Sequence, residues 1–356
     1  MKPVERAAGR QAIHCARKML FATFDHRAHR TAAGMAAGRG GAIRVSHATR
    51  RPTRQHTFRP GAMPNRAVRR HLIRFPDRKP TAFRKTMMRR VGVYVDGSSM
   101  DANGGHMMRY EVLRALAGRA GATIQRLHAY LSFDERRAAR SADYDVRIKG
   151  YQAALRDKGF RVTVKPLRHY ADEDGTETVK SNSDLGMAID ALSESDRLDT
   201  VLVATSDGDF VEVVRALQKK GCRVEVLGFD NVPLELRDAA DQFISGYLVP
   251  GLLPIRDAAP GLPAWGQVGS RVRGLCNRFE EDDGYGFIAF WASLPDTPLL
   301  AAAETSPAYF RSSSFLDSSA LTRLPSRSTV LEFDLAPPAK QNGALEARRI
   351  QVVSAV

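Results

Sequence analysis

The run Val91-Gly92-Val93-Tyr94-Val95 is short, apolar and rich in β-branched residues, and it stops at Asp96-Gly97-Ser98-Ser99. Such a run reads as a buried strand, and the polar stop as a sharp turn. Comparable strand signals recur at Thr123–Ser132, Arg161–Leu167, Thr200–Ala204 and Arg223–Leu227. Helical stretches fall at Met107–Arg119, Asp143–Lys158 with Gly159 as stop signal, Asp184–Leu192 and Asp209–Lys220. Strands alternating with helices restrict the segment to an α/β fold, a parallel sheet covered on both faces.

In sheets of this kind ligands bind beyond the carboxyl ends of the strands. The acids fall there: Asp96 directly follows the first strand, and Asp207 and Asp209, in LVATSDGDF, follow Thr200–Ala204. Asp184, in KSNSDLGMAIDAL, opens a helix, while Asp190 lies about 600° further round it, off the same face. Asp184 is therefore the site candidate and Asp190 a structural one. Carboxylates gathered within a few ångström repel, and raise one another's pKa unless a cation neutralises them. Mg²⁺ or Mn²⁺ is the economical choice, being hard, oxygen-ligated and content to keep its waters. Such an ion activates water and stabilises the charge developing on a phosphodiester. Neither Cys nor His stands beside these acids, which disfavours zinc and thiol chemistry. Nor does the chain carry a Gly-x-Gly-x-x-Gly after the first strand, a Walker loop or a Gly-x-Ser-x-Gly elbow. Thr205 and Ser206, with no His in the flanking motifs to activate them, read as turn or cap residues.

VGVYVDGSS, KSNSDLGMAIDAL and LVATSDGDFVEVVRALQKKGCRVEVLGF, in that order, resemble the NYN domain in its LabA-like branch, within the PIN-like nuclease superfamily. The resemblance spans about residues 91–250 and implies a three-layer α/β/α sandwich with an acidic metal site acting on RNA. On the matching positions, the catalytic and metal-binding residues it implies are Asp96, Asp184, Asp207 and Asp209, with Mg²⁺ or Mn²⁺ as cofactor. Family members often carry Asn two residues after the first Asp; here the residue is Ser98, whose hydroxyl reaches less far than an amide. Ser98, Lys180 and Asn182 are the candidate substrate contacts, although an ordinary surface loop explains Lys180 and Asn182 as well.

Beyond a Pro- and Gly-rich linker containing Trp265, the period changes to short strands. Gly274–Phe290 reads as two strands joined by an acidic turn, Ala308–Phe315 as a third, and STVLEFDLAP with ALEARRIQVV as two more. Five strands with exposed aromatics predict a small all-β barrel of the OB type. Gly284-Tyr285-Gly286-Phe287-Ile288 resembles the first ribonucleoprotein motif of cold-shock domains, and Tyr309-Phe310-Arg311 stands in place of the second. The resemblance implies that Tyr285, Phe287, Tyr309 and a fourth ring, Phe279, stack on bases of single-stranded nucleic acid, with Arg311 where the family has a His. Against this, Arg278 replaces the family's Trp, and the run Glu280-Glu281-Asp282-Asp283 repels phosphate. A degenerate barrel used for protein contacts is the alternative. Arg311, Arg323, Arg327, Arg348 and Arg349 are candidates to restore a positive face.

The division expected is a basic tail at 1–86, the sheet domain at 87–250, the linker at 251–270 and the barrel domain at 271–356. Charge follows it: residues 1–90 hold 23 Lys and Arg against three acids, net +20, and residues 91–356 hold 31 against 36, net −5. The tail holds six of the nine histidines at no zinc-finger spacing, and too little apolar surface to repay chain entropy. Disordered tail, phosphate-binding arm, transit peptide and an upstream extension ahead of a true start at Met87 or Met88 all fit it. Three scattered cysteines form no disulfide framework, and no apolar run is long enough to span a bilayer, so a soluble, cytoplasmic protein is expected. The expected activity is metal-dependent hydrolysis of single-stranded RNA, with single-stranded DNA as the other substrate option and homo-oligomerisation left open. A catalytically inactive NYN scaffold that binds RNA or a partner protein is the alternative.

Overall fold

The computed structural model describes residues 88–171, 177–180, 183–255, 261, 263–339, 341 and 343–355. The basic tail, with Cys15, and Asn182 lie outside the described residues. The chain begins with β1 (Arg90–Asp96), α1 (Gly97–Ala102), α2 (Tyr110–Ala117), β2 (Thr123–Phe133), α3 (Glu135–Arg140) and α4 (Ala142–Asp157). It continues through β3 (Arg161–Pro166), β4 (Arg168–Ala171), β5 (Glu177–Lys180), α5 (Ser183–Glu194), β6 (Thr200–Ala204), α6 (Phe210–Lys219), β7 (Arg223–Gly228), α7 (Leu234–Ala239) and β8 (Gln242–Ser245). Six of these strands form one all-parallel sheet in the order β3-β2-β1-β6-β7-β8. The order runs outward in opposite senses from β1 and β6, so the crevice that opens where strand order reverses lies between those two carboxyl ends.

Residue pattern accounts for both layers. Val91, Val93 and Val95 of β1 point to one face with Leu113 and Leu116 of α2, while Tyr94 points to the other with Met187 of α5 and Phe210, Val214 and Leu217 of α6. The β1 run is buried on both faces, as a central parallel strand requires. Asp134 and Ser141 cap α3 and α4, accepting from the amides of Arg137 at 3.0 Å and Tyr144 at 3.3 Å. The helix expected from Met107 starts only at Tyr110, because Met107 sits in the left-handed region at φ 69° and cannot belong to a right-handed helix. The β4–β5 hairpin is an antiparallel pair outside the main sheet and carries no periodic signal in the sequence.

The second sheet comprises β9 (Arg271–Glu280), β10 (Tyr285–Phe290), β11 (Ser306–Arg311), β12 (Thr329–Ala336) and β13 (Leu345–Ala355), closed as β10-β11-β13-β12-β9. All five expected strands are present, around a core of Val272, Ile288, Phe290, Phe310, Leu331 and Phe333, but the first begins at Arg271 and the third ends at Arg311, where Ser312–Ser314 turn into a short 3-10 helix. Trp265 packs on this core and donates its Nε1–H to the Trp291 carbonyl at 2.7 Å. Sheet and barrel belong to one compact unit, and Leu300 and Val330 join the core formed on the α2 side of the sheet. Arg119, in the sheet part, makes a buried ion pair with Glu225 at 2.6 Å and donates to the carbonyls of Thr297 and Pro298 at 3.1 and 3.2 Å. On the barrel side, Arg273 pairs with Glu332 at 2.9 Å and reaches the Leu253 and Pro254 carbonyls. Among the described residues no helix is long and apolar enough to cross a membrane.

Candidate functional site

Asp96 ends β1 and is 3% exposed. The expected polar turn after it is the first turn of α1, which Asp96 caps by accepting the Ser99 amide at 3.0 Å. Gly97 is required there: a Cβ would run into the Leu131 side chain and the Tyr130 carbonyl of β2. β6 lies alongside, with Val95 opposite Ala204, so the loop Thr205–Asp209 leaves the sheet next to Asp96. Thr205, fully buried, ties the two loops together: its hydroxyl donates to Asp96 Oδ2 at 3.4 Å and accepts the Asp207 amide at 3.1 Å. Ser206 donates its amide to Ser99 Oγ at 3.0 Å. Thr205 serves the turn, as its sequence context predicts, while the Ser206 hydroxyl caps nothing among the described residues.

Burial pushes the Asp96 carboxyl up to about 6, and the neighbouring Asp184 and Asp207 carboxylates add to the rise against the Ser99 and Thr205 hydrogen bonds. Asp184, in the first turn of α5, and Asp207 are thus electrostatic neighbours of Asp96. Asp209 is exposed, precedes α6, and donates its amide to Asp207 Oδ1 at 3.0 Å. Asp190 accepts a 2.6 Å hydrogen bond from Tyr130, away from this group. Ser98 is engaged with β2: its hydroxyl donates to Ser132 Oγ at 2.9 Å and accepts the Ser132 amide at 3.1 Å. Lys180 ends β5, and its side chain, like Asn182, lies outside what is described.

Among the described residues no three His, Cys, Asp or Glu side chains are placed to hold one metal ion together. The donor chemistry nonetheless fits a hard cation. Asp96, Asp184 and Asp207 offer only oxygen, and Ser206 Oγ is buried beside them without a hydrogen-bond partner. Mg²⁺ is commonly held by one or two carboxylates and several waters, so a tight three-carboxylate cage is not needed.

On the barrel, Tyr285, Phe287 and Tyr309 form one half-exposed aromatic face. Tyr285 stacks on Tyr309 with centroids 6.0 Å apart, and Phe287 meets Tyr309 edge-on at 5.7 Å. Arg311, exposed, lies opposite Tyr285 in the register. Phe279 does not join this face: it stacks on the buried Phe310 at 5.8 Å and packs against the core. Glu280 is paired with Arg278 at 2.8 Å, which removes one charge from the acidic run. Arg348 and Arg349 lie beside Glu346 and Asp334 at 2.9 and 3.6 Å, which offsets part of their charge while both stay exposed.

The NYN domain family model matches residues 90–253. The low amplitude and bright protein LabA of Synechococcus elongatus is 25% identical over 162 residues, 44% of this chain and 82% of LabA. A crystal structure of a protein of unknown function from Vibrio parahaemolyticus aligns at 24% identity with a TM-score of 0.37, covering 44% of this chain and 92% of that one. The barrel strands lie outside the family match, and it is the parallel-sheet part, with its acidic crevice, that is similar to the NYN domain.

Proposed function

We propose that the chain is a metal-dependent ribonuclease whose barrel holds single-stranded RNA. The observation that carries this reading is Asp96, buried at the end of β1 where the strand order reverses, with Asp184 and Asp207 near enough to raise its carboxyl pKa. Asp96, Asp207 and Asp184, with Asp209 at the rim, would hold Mg²⁺ or Mn²⁺. When bound, such an ion supplies an activated water and stabilises charge on the phosphodiester. The chain's own residues fix the pocket: Thr205 and Ser99 orient the Asp96 carboxylate, and Ser206 Oγ is left to bind water or a phosphate oxygen. Tyr285, Phe287 and Tyr309 offer ring faces for bases, each stack contributing roughly 1–3 kcal/mol.

One observation favours a second reading, an inactive scaffold that binds RNA: the Ser98 hydroxyl is bonded to Ser132 where the family often places an Asn. The test incubates the full chain with labelled single-stranded RNA and Mg²⁺ or Mn²⁺, beside Asp207→Asn/Asp209→Asn and an EDTA control. Cleavage is expected to fall at least 100-fold in both controls, removal of one electrostatic catalytic element costing about that much. Cleavage that survives both controls defeats the nuclease reading, and binding without cleavage selects the scaffold.

A further inference from the structure

Where the barrel meets the sheet there is a cavity of about 130 Å³, walled by Arg237, Phe243 and Ser245 from the sheet side and Leu275, Arg327 and Val330 from the barrel. We infer that this cavity is a nucleotide subsite that carries a single RNA strand from the aromatic face of the barrel to the acidic crevice. The inference rests on the reading of the aromatic face as an RNA-binding surface.

Charge selects an anion. Among the described residues neither the Arg237 nor the Arg327 guanidinium has a carboxylate or hydrogen-bond partner; Arg237 lies 4.7 Å from the Phe243 ring centroid. Ser245 Oγ is buried without a partner. Size admits only part of one nucleotide, a phosphate or the edge of a base, since pockets that enclose a whole small molecule start near roughly 300 Å³. Leu275 and the rim of Phe243 give an apolar surface for a base edge, Val330 closing the wall behind them, and the two guanidinium groups give forked donors for a phosphate.

Position selects a strand rather than a free nucleotide. On β10 the outward residues run Tyr285, Phe287, Ala289, and Ala289 pairs with Leu275, which pairs in turn with Val330. Two residues along a strand and one strand across are about 7 and 5 Å. The stacking face therefore leads onto the cavity wall. On the other side, Arg237 lies on α7, which starts after Pro233, and the Pro233 ring lies in van der Waals reach of Gly208, between Asp207 and Asp209. The cavity lies between the two surfaces.

The test measures binding of fluorescein-labelled 12-nucleotide single-stranded RNA to the full chain in EDTA, across a salt series, with single-stranded DNA and AMP as parallel arms. Arg237→Ala/Arg327→Ala is expected to lose at least tenfold in RNA affinity at low salt. Its slope of log affinity against log salt should be shallower by about 1.4, at ~0.7 per phosphate contact on a single strand. Arg327→Glu, at an exposed position, should weaken binding too and guards against a folding artefact in the double variant. AMP at millimolar concentration should not compete. Unchanged affinity and slope in the arginine variants overturn the inference, as does AMP binding that is lost in them while RNA binding is kept. A loss confined to Tyr285→Ala/Phe287→Ala upholds the aromatic reading and defeats this one. Equal loss of RNA and DNA binding in the arginine variants supports a phosphate subsite shared by both strands. Failure of the unmodified chain to bind either strand defeats both readings.

Discussion

The Asp96 carboxyl is held where its own charge costs stability. Its folded pKa stands above the ordinary carboxylate value, at about 6, so the folded chain keeps a proton that the unfolded chain has released. The resulting stabilisation is complete below about pH 4 and is lost as pH rises through 6. In EDTA, Asp96→Asn should therefore be more stable than the parent chain at pH 7.5, on the order of 2–3 kcal/mol, with the gain vanishing near pH 4. Asn still caps α1 through its carbonyl oxygen, but its NH2 faces the Thr205 hydroxyl, which must then accept where it now donates, a change present at both pH values. Urea unfolding at both pH values checks this, and an equal difference at the two would refute it. The place of Asp96 was legible, because a buried strand that ends in a carboxylate leaves little choice of geometry. The commitment of Ser98 was not, since Ser132 lies 34 residues away and no local pattern announces the pairing.

At the scale of elements, α5 carries Asp184 at one end and is fastened to the sheet at the other. Tyr130 donates to Asp190 at 2.6 Å, Tyr94 donates to Glu194 at 2.9 Å, and Arg126 pairs with Glu194 at 3.1 Å. His128, buried beside them, has its pKa lowered chiefly by that burial, against the pull of Glu194 and Asp190. Tyr130→Phe removes a hydrogen bond to a charged group, a loss of about 1.5–3 kcal/mol by thermal or urea unfolding. If the nuclease reading holds, kcat should fall while RNA affinity in EDTA stays unchanged. A parallel loss of affinity would place Tyr130 in substrate binding instead. Strands were easier to read than helix starts: β6 was placed to the residue because its five positions are all buried, whereas α2 lost its first expected turn to the left-handed Met107. The Asp190 assignment followed from helical rotation alone, but its tyrosine partner is set by sheet packing.

For the whole molecule, the junction of sheet and barrel fixes how the acidic loops and the aromatic face are joined, and under the proposed function whether both act on one strand. Arg119 and Glu225 are both essentially sealed from solvent, and the same guanidinium holds two carbonyls of the segment before β11. Arg119→Ala leaves the buried Glu225 carboxylate with Arg223, at 3.3 Å, as its remaining basic partner and should cost up to about 3–5 kcal/mol, whereas an Arg119→Met/Glu225→Leu pair should cost less. Calorimetry gives the first number, and limited proteolysis between the two parts should report loosening in both variants. A loss of under 1 kcal/mol for Arg119→Ala would show that the junction is held by apolar packing instead. None of this was legible in sequence, where the linker reads as a flexible spacer and the partners are more than a hundred residues apart.

The neighbouring places of β1 and β6 also bear on synthesis. Thr205, which orients the Asp96 carboxylate, follows it by 109 residues. At roughly 5–20 residues per second, a ribosome needs about 5–20 s to bridge that interval. A nascent chain still attached to its own messenger thus carries half a crevice for seconds, and under the proposed function it gains the means to cut RNA only after the second half emerges.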